Sequence, residues 1–215
     1  MVPERPASNP WLSIPASDYE AHMSSPAVLQ SQFLSDAFRR ALDRHRPTSV
    51  AVLGCATGNG FEHLARAPIR RVVAVDINPR YLEILRDRYG AALPGLEIVC
   101  ADLPRCEIES GSLDLVWAAL IFEYVDPKSL LQQAAAWLAP GGTVSAVLQL
   151  PVAGHSAVTE TPFASLKQLE PILELVDPEE LDRLAQLCGL RPESSRTAAL
   201  VTGKAFHEAD YRKAP

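Results

Sequence analysis

Short apolar runs alternate with amphipathic segments over most of this chain. Apolar runs at residues 50–53 and 72–75 predict buried strands, and residues 96–100 and 112–120 predict two further strands. Between two of them, Tyr81, Leu82, Leu85 and Tyr89 recur at helical spacing. Strands that alternate with helices are typical of an α/β protein with a mostly parallel sheet.

The two ends of the chain add further elements to this pattern. Residues 1 to about 16 contain four prolines and predict an extended arm, and residues 18–46 predict helix with one apolar face. Residues 177–190 predict a capped helix, and the tail predicts two strands joined near Thr202 and Gly203. We therefore expect arm and helices over 1–46, one core domain over 47–215, and a covering segment around 151–176.

The loop after the first strand, residues 54–60, is nearly free of bulky side chains. Its glycines, Gly54, Gly58 and Gly60, allow the backbone to come close to a bound molecule. The second strand ends at Asp76, sixteen residues after Gly60. An open parallel sheet places a carboxylate there to accept hydrogen bonds from ribose hydroxyls. Together these features predict a nucleoside-containing cofactor.

The glycine spacing does not fit a dinucleotide, whose fingerprint needs glycine at its first, third and sixth positions. Counted from Gly54, the third and sixth positions hold Ala56 and Asn59. Counted from Gly58, the sixth position holds His63 instead of glycine. The pattern Gly-x-Ala-x-Gly-x-Gly instead resembles the first motif of class I S-adenosylmethionine-dependent methyltransferases. In that family the loop wraps the aminoacyl end of a cofactor that has no phosphate.

The resemblance extends over residues 50–150, with an acidic residue after the third strand and a Leu-x-Pro-Gly-Gly turn before the fifth. It implies a Rossmann-like three-layer α/β sandwich, with a mostly parallel seven-stranded sheet and an antiparallel C-terminal strand. It also implies S-adenosyl-L-methionine as cofactor and direct in-line methyl transfer to a small-molecule acceptor. The N-terminal helices and the segment at 151–176 would then cover the active site.

The resemblance assigns a role to each cofactor-binding position. The glycine loop would pass under the methionine part, Asp76 would hold the ribose, and Ile77 would pack on adenine. Asp102 and Leu103 would mark the adenine edge. The full set is Gly54, Cys55, Ala56, Thr57, Gly58, Gly60, Asp76, Ile77, Asp102, Leu103, Ala118 and Ala119, of which the last two would offer backbone groups near the sulfonium.

Two positions depart from the family pattern and keep other functions open. Val52 stands where many members have an acidic residue that helps to hold the cofactor's ammonium group, and Ala56 replaces a usual glycine. One alternative is therefore a protein that binds S-adenosylmethionine without transferase activity. The other is a nicotinamide-dependent oxidoreductase, which the glycine spacing disfavours.

The candidates for the acceptor site come from the segments that cover the cofactor in this family. Glu123 and Tyr124 stand where related enzymes often have Glu-His, and His155 follows the fifth strand. These three are the candidate catalytic residues, although His155 is more simply explained as an ordinary solvent-exposed loop histidine. The candidate substrate-binding residues are Trp11, Tyr19, His22 and Met23, which packing onto the sheet edge would also explain.

Composition and charge exclude several kinds of partner. The net charge of -6 is unlike that of proteins that neutralise many phosphates. Amino-methyltransferases that act on DNA bases have an Asp/Asn-Pro-Pro-aromatic motif after the fourth strand, which clamps the flipped-out base, and this chain has Ala-Leu-Ile-Phe there. We therefore expect no nucleic-acid substrate. Four cysteines and five histidines form no zinc or disulfide pattern, and we expect no metal. No apolar run approaches the roughly 20 residues of a membrane span. We expect a cytoplasmic protein, and the sequence leaves its oligomeric state open.

Overall fold

The computed structural model describes residues 9–214, so the predicted arm falls partly outside it, at residues 1–8. Seven strands form one sheet in the order β3-β2-β1-β4-β5-β7-β6. Strands β1 to β5 are parallel, and β7 pairs antiparallel with both β5 and β6. The strands are β1 Ser49–Leu53, β2 Arg71–Asp76, β3 Leu96–Cys100, β4 Leu113–Ala119, β5 Leu138–Leu150, β6 Leu190–Ala199 and β7 Ala205–Lys213. The predicted fold class is thereby confirmed.

Helices cover both faces of this sheet. The α-helices are α1 Ala16–Ser24, α2 Gln30–His45, α3 Phe61–Leu64, α4 Pro79–Tyr89, α5 Pro127–Trp137 and α6 Pro178–Leu187. Short 3-10 helices occupy Pro10–Leu12, Leu103–Arg105 and Ala164–Ile172. None of the helices in residues 9–214 is long and apolar enough to cross a membrane.

The central strands are buried on both sides, which explains their nearly continuous apolar sequences. One core cluster contains alternate residues of β1, such as Leu53, with residues of α5 and α6. The opposite cluster contains Val50 and Val52 with residues of α2, α3 and α4. The side chain of Val52 is 4% exposed and belongs to this apolar core.

The helix predicted over residues 18–46 is two helices, and this expectation needs correction. Helix α1 ends at Ser24 and α2 begins at Gln30. Ser25 has extended backbone (φ -61°, ψ 149°) because it precedes Pro26, whose ring disfavours the α conformation of the preceding residue. The apolar face predicted for the second part is buried as expected, and it consists of Phe33, Leu34, Ala37, Phe38, Ala41 and Leu42.

Two glycines of the loop after β1 face packed side chains. Gly58 has φ +93°, and a Cβ atom there would lie 2.8 Å from Cε2 of Tyr89. Gly60 has φ +84°, and its Cβ would lie 3.0 Å from Cδ1 of Phe38. The requirement for glycine at these two positions is therefore explained by turn geometry and packing inside the domain.

We expect Gly58→Ala to lower the free energy of unfolding by more than the roughly 1–2 kcal/mol that a left-handed non-glycine residue costs, because the new methyl group also meets Tyr89. Gly111→Ala is the matched control, since Gly111 has φ +67° and nothing within 4 Å of its Cβ position. Urea denaturation of both variants measures the difference. Equal losses would show that the contact with Tyr89 has no energetic consequence.

Candidate functional site

A cavity lies where the carboxyl ends of the five parallel strands meet, at the place where ligands bind in open α/β sheets. The space in it that is open to the centre of a water molecule is about 150 Å³. Residues that follow β1 to β4 form its floor, and residues from the N-terminal segment and from 157–173 form its roof.

Asp76, at the end of β2, connects two parts of the cavity floor. Its Oδ2 accepts a hydrogen bond from the Ala56 N–H, and its Oδ1 accepts one from the Asn78 N–H, both at 2.8 Å. The carboxylate is 9% exposed and lines the cavity. Burial raises its pKa, although the backbone hydrogen bonds favour the charged form. Each oxygen keeps a lone pair for a ligand hydroxyl.

The backbone is strained at two points of the floor. Ala56 has φ +46° and Leu120, just after β4, has φ +52°, and both line the cavity. Gly54, which directly follows β1, has no side chain to occupy the cavity, and a Cβ there would lie 2.9 Å from Cδ1 of Ile121. Left-handed backbone at non-glycine residues is uncommon and concentrates at functional sites.

The predicted cofactor positions divide into two groups. Those that line the cavity are Gly54, Ala56, Asp76, Ile77, Asp102, Leu103 and Ala119. Those that do not are Cys55, Thr57, Gly58, Gly60 and Ala118. The hydroxyl of Thr57 instead donates to Glu20, which also pairs with Arg88. The second group therefore shapes the loop and its surroundings rather than the cavity surface.

Aromatic side chains form the roof over the floor. Trp11 contacts Tyr19 and Tyr124 edge to face, with ring centroids 5.9 and 5.2 Å apart. Tyr19 also packs on Tyr81, 5.7 Å away. Asn78 donates a hydrogen bond to the Trp11 carbonyl (2.8 Å) and so attaches this roof to the end of β2. Burial raises the pKa of Tyr19, Tyr81 and Tyr124, so these phenols stay protonated.

Glu123 is the most unusual group in the cavity lining. Its side chain is 3% exposed, and its Oε1 accepts a hydrogen bond from the Gln149 N–H (2.8 Å). Its Oε2 is buried and has no hydrogen-bond partner among the described residues. Burial raises the pKa of Glu123 to about 7, with the Gln149 hydrogen bond acting in the opposite direction. The carboxyl group can therefore exchange a proton near neutral pH.

Four buried polar residues form a second polar group in the cavity, which we call the Lys204 cluster: His22, Gln30, Gln149 and Lys204. The Lys204 ammonium donates to Oε1 of Gln149 (3.1 Å) and to the Ala157 carbonyl (2.8 Å). Nε2 of Gln30 donates to the same Gln149 oxygen (3.2 Å). His22 Nδ1 lies 2.9 Å from the Thr161 hydroxyl.

All but one of the predicted catalytic and substrate-binding residues line the cavity. Glu123 and Tyr124 line the cavity, as do the predicted substrate-binding residues Trp11, Tyr19, His22 and Met23. His155 lies outside the lining and is exposed, with its ring against the backbone of Gly203. Within residues 9–214, no group of three or more His, Cys, Asp and Glu side chains is arranged to hold a metal ion.

Sequence reasoning missed three members of the Lys204 cluster. Gln149 interrupts an apolar strand, and that interruption is the one local signal that could have drawn attention to it. Gln30 lies at the start of α2, and Lys204 follows a turn, where a lysine is normally solvated. Their burial depends on contacts between distant parts of the chain, so local sequence gives no sign of it.

Comparison with known families identifies the central part of the chain. Residues 50–142 match a family described as a methyltransferase domain. The match begins at β1 and ends within β5, so it contains the loop at 54–60, Asp76, Asp102 and Glu123. Most of the roof, Gln149 and Lys204 lie outside it.

Two curated relatives are also methyltransferases. The chain is 37% identical over 119 residues to malonyl-[acyl-carrier protein] O-methyltransferase of Laribacter hongkongensis, covering 50% of this chain and 39% of the relative. The enzyme of the same name from Dechloromonas aromatica is 30% identical over 145 residues, covering 67% and 52%. The chain thus matches about half the length, or less, of these relatives.

A solved structure extends the likeness in fold to nearly the whole chain. N-methyltransferase NodS from Bradyrhizobium japonicum, in complex with S-adenosyl-L-homocysteine, superimposes with a TM-score of 0.67. The alignment covers 92% of this chain and 97% of NodS at 14% sequence identity. At this identity the likeness establishes the fold and leaves the acceptor undetermined.

Proposed function

We propose that the chain is a class I S-adenosylmethionine-dependent methyltransferase that transfers a methyl group to a small-molecule acceptor bound in the cavity, since residues 50–142 match a methyltransferase domain. One observation carries the proposal: Glu123, whose Oε2 is buried and unpartnered, lines the same cavity as Asp76 and the loop after β1. A cofactor site and a proton-accepting group thus share one enclosed space.

The residues present fit S-adenosylmethionine. The lone pairs left on Asp76 suit ribose hydroxyls, and Ile77, Ala101 and Leu103 offer an apolar surface beside Asp102 for adenine. Gly54 lines the cavity without a side chain, so its backbone can come close to the aminoacyl part of the cofactor. When bound, the cofactor supplies an electrophilic methyl group, and the protein's task is to position the acceptor.

Glu123 would act as the general base. An acceptor O–H or N–H that takes the methyl group must lose its proton, and Oε2 of Glu123 is the group that would receive it. A pKa of about 7 allows the carboxylate to be ionised at neutral pH and still to accept a proton. Tyr124 would line the acceptor site without acting as a base, because its phenol stays protonated.

Val52 favours a second candidate, a protein that binds S-adenosylmethionine without transferring its methyl group. Val52 belongs to the apolar core, so it offers no charge to the cofactor's ammonium group. The carboxylates that line the cavity are those of Asp76, Asp102 and Glu123. If one of them holds the ammonium, tight binding requires no acidic residue at position 52.

Two measurements distinguish a methyltransferase from a protein that only binds S-adenosylmethionine: calorimetric titration with cofactors and an assay for methyl transfer. We expect S-adenosylmethionine and S-adenosylhomocysteine, but not NAD, to give calorimetric binding signals. We then expect S-adenosylhomocysteine to form when the protein is incubated with S-adenosylmethionine and a metabolite panel. Binding with no product from any acceptor favours the second candidate, and binding of NAD alone contradicts both.

We expect Asp76→Asn to weaken the binding of S-adenosylhomocysteine by roughly 10- to 100-fold, because a hydrogen bond to a charged group contributes about 1.5–3 kcal/mol. The variant loses one of the two backbone hydrogen bonds that Asp76 accepts, but it also removes a buried charge, so we expect it to be less stable and still folded. Asp87→Asn is the control, because Asp87 is exposed on α4. Calorimetry and thermal melts check both variants, and an unchanged affinity in folded Asp76→Asn protein contradicts the ribose role.

We expect Glu123→Gln to abolish most turnover and, at pH 8, to raise the free energy of unfolding. The pKa of Glu123 is about 7 in the folded protein, above that of an unfolded glutamate, so the native state binds more protons. The free energy of unfolding therefore falls by about 3 kcal/mol in total as pH rises from the ordinary pKa of glutamate to about 7. The neutral variant should lack this fall.

Denaturation at pH 5 and pH 8 checks the expected pH dependence, with Glu83→Gln on the exposed face of α4 as control. Wild-type turnover should rise as pH increases through about 7. A Glu123→Gln variant that is destabilised at pH 8, or that turns over like wild type, contradicts the assignment of this residue as a buried base.

A further inference from the structure

Lys204 is a buried cation whose ammonium makes hydrogen bonds with two of its three N–H groups. Its side chain is 4% exposed, yet it takes part in none of the ion pairs among residues 9–214. The ammonium has three N–H groups, and Gln149 and Ala157 accept two hydrogen bonds from it. Lys204 lines the cavity, so the third donor is available to a ligand there.

The neighbours of Lys204 keep this end of the cavity positive. Burial, together with the positive charge of Lys204, lowers the pKa of His22 to about 4, so its imidazole is neutral at neutral pH. Gln30 and Gln149 are neutral amides. The Lys204 cluster therefore presents a single positive charge surrounded by neutral hydrogen-bonding groups.

A buried ammonium without a counter-ion is costly, and an anionic ligand would remove the cost. One positive charge matches a carboxylate, which carries one negative charge, better than a phosphate monoester, which carries close to two at neutral pH. Burial lowers the pKa of Lys204 to about 8, and a bound carboxylate would favour its charged form.

The Lys204 cluster and Glu123 meet at one residue. The backbone N–H of Gln149 donates to Glu123, and its side-chain oxygen accepts from Lys204. The positive end of the cavity and the proposed base are thus connected through one glutamine and its two hydrogen bonds. A ligand that reaches both is short, with an anionic group at one end and a proton-bearing atom at the other.

We propose that the Lys204 cluster binds a carboxylate of the acceptor, so that the substrate is a short hydroxy or amino acid whose O–H or N–H meets Glu123. This inference rests on the proposed function and adds the substrate class to it. Lys204 positions the acceptor, whereas Glu123 receives the proton that the acceptor atom loses on methylation.

Calorimetry with protein saturated in S-adenosylhomocysteine tests the proposal. The probes are lactate, β-hydroxybutyrate, glycine and β-alanine, each beside its primary amide, which has nearly the same shape but no charge. We expect wild-type protein to bind at least one acid about tenfold or more tightly than its amide. Acids that bind no better than amides, or no binding by any acid, would overturn the proposal.

Lys204→Met should lose the preference for the acid while keeping the weaker affinity for the amide. Lys204→Gln, which can still hydrogen-bond to its protein neighbours, serves if the methionine variant does not fold. Lys128→Met is the matched control, because Lys128 is exposed at the start of α5. An equal loss of acid and amide binding in the Lys204 variants would indicate a purely structural role and contradict the proposal.

The same experiment separates this proposal from the one on which it rests. If S-adenosylhomocysteine itself does not bind, the proposed function fails. If it binds and the acids show no preference over the amides, the methyltransferase assignment stands and the carboxylate site is rejected.

Discussion

The hydrogen bonds that the Asp76 carboxylate accepts are the constraint on which the cavity depends. Parallel strands end at the same edge of a sheet, but their loops have no inherent reason to adopt a common shape. Asp76 fixes the loop after β1 through the Ala56 N–H and the start of α4 through the Asn78 N–H. Asn78 in turn holds Trp11 and caps α4 through the Arg80 N–H. Floor, helix and roof thus share one anchor.

The cavity contains features that oppose stability. Ala56 and Leu120 have left-handed backbone, Glu123 has a buried oxygen without a partner, and Lys204 is a buried cation without a counter-ion among the described residues. Each costs free energy of order 1–3 kcal/mol. The apolar cores on both faces of the sheet offset these costs. Left-handed backbone and unpartnered buried atoms also occur elsewhere, for example at Leu29 and in Arg40. What marks this cavity as a binding site is that two ionisable groups, Glu123 and Lys204, are buried in its lining.

The sequence predicted features that depend on local pattern. Strands β1 and β2 and the position of Asp76 followed from apolar runs, because strands buried on both faces must be apolar throughout. Local pattern could not show which glycines face the cavity, since that depends on Tyr89 and Phe38 packing from elsewhere. It also could not show the burial of Lys204, which requires β7 to pair with β5 and so bring the turn before β7 beside Gln149.

The division between predictable and unpredictable residues has a structural cause. The family match over 50–142 contains most of the cavity floor, whereas much of the roof and acceptor end comes from the two flanks of the chain. The flanks are joined by packing of Ile14 with Val158, Leu166 and Leu169, and by a hydrogen bond between Asp18 and Ser165. The proposed acceptor site therefore combines Glu123 and Tyr124 of the matched domain with segments that lie outside it. Its specificity has to be inferred from the contacts of this chain rather than from its family.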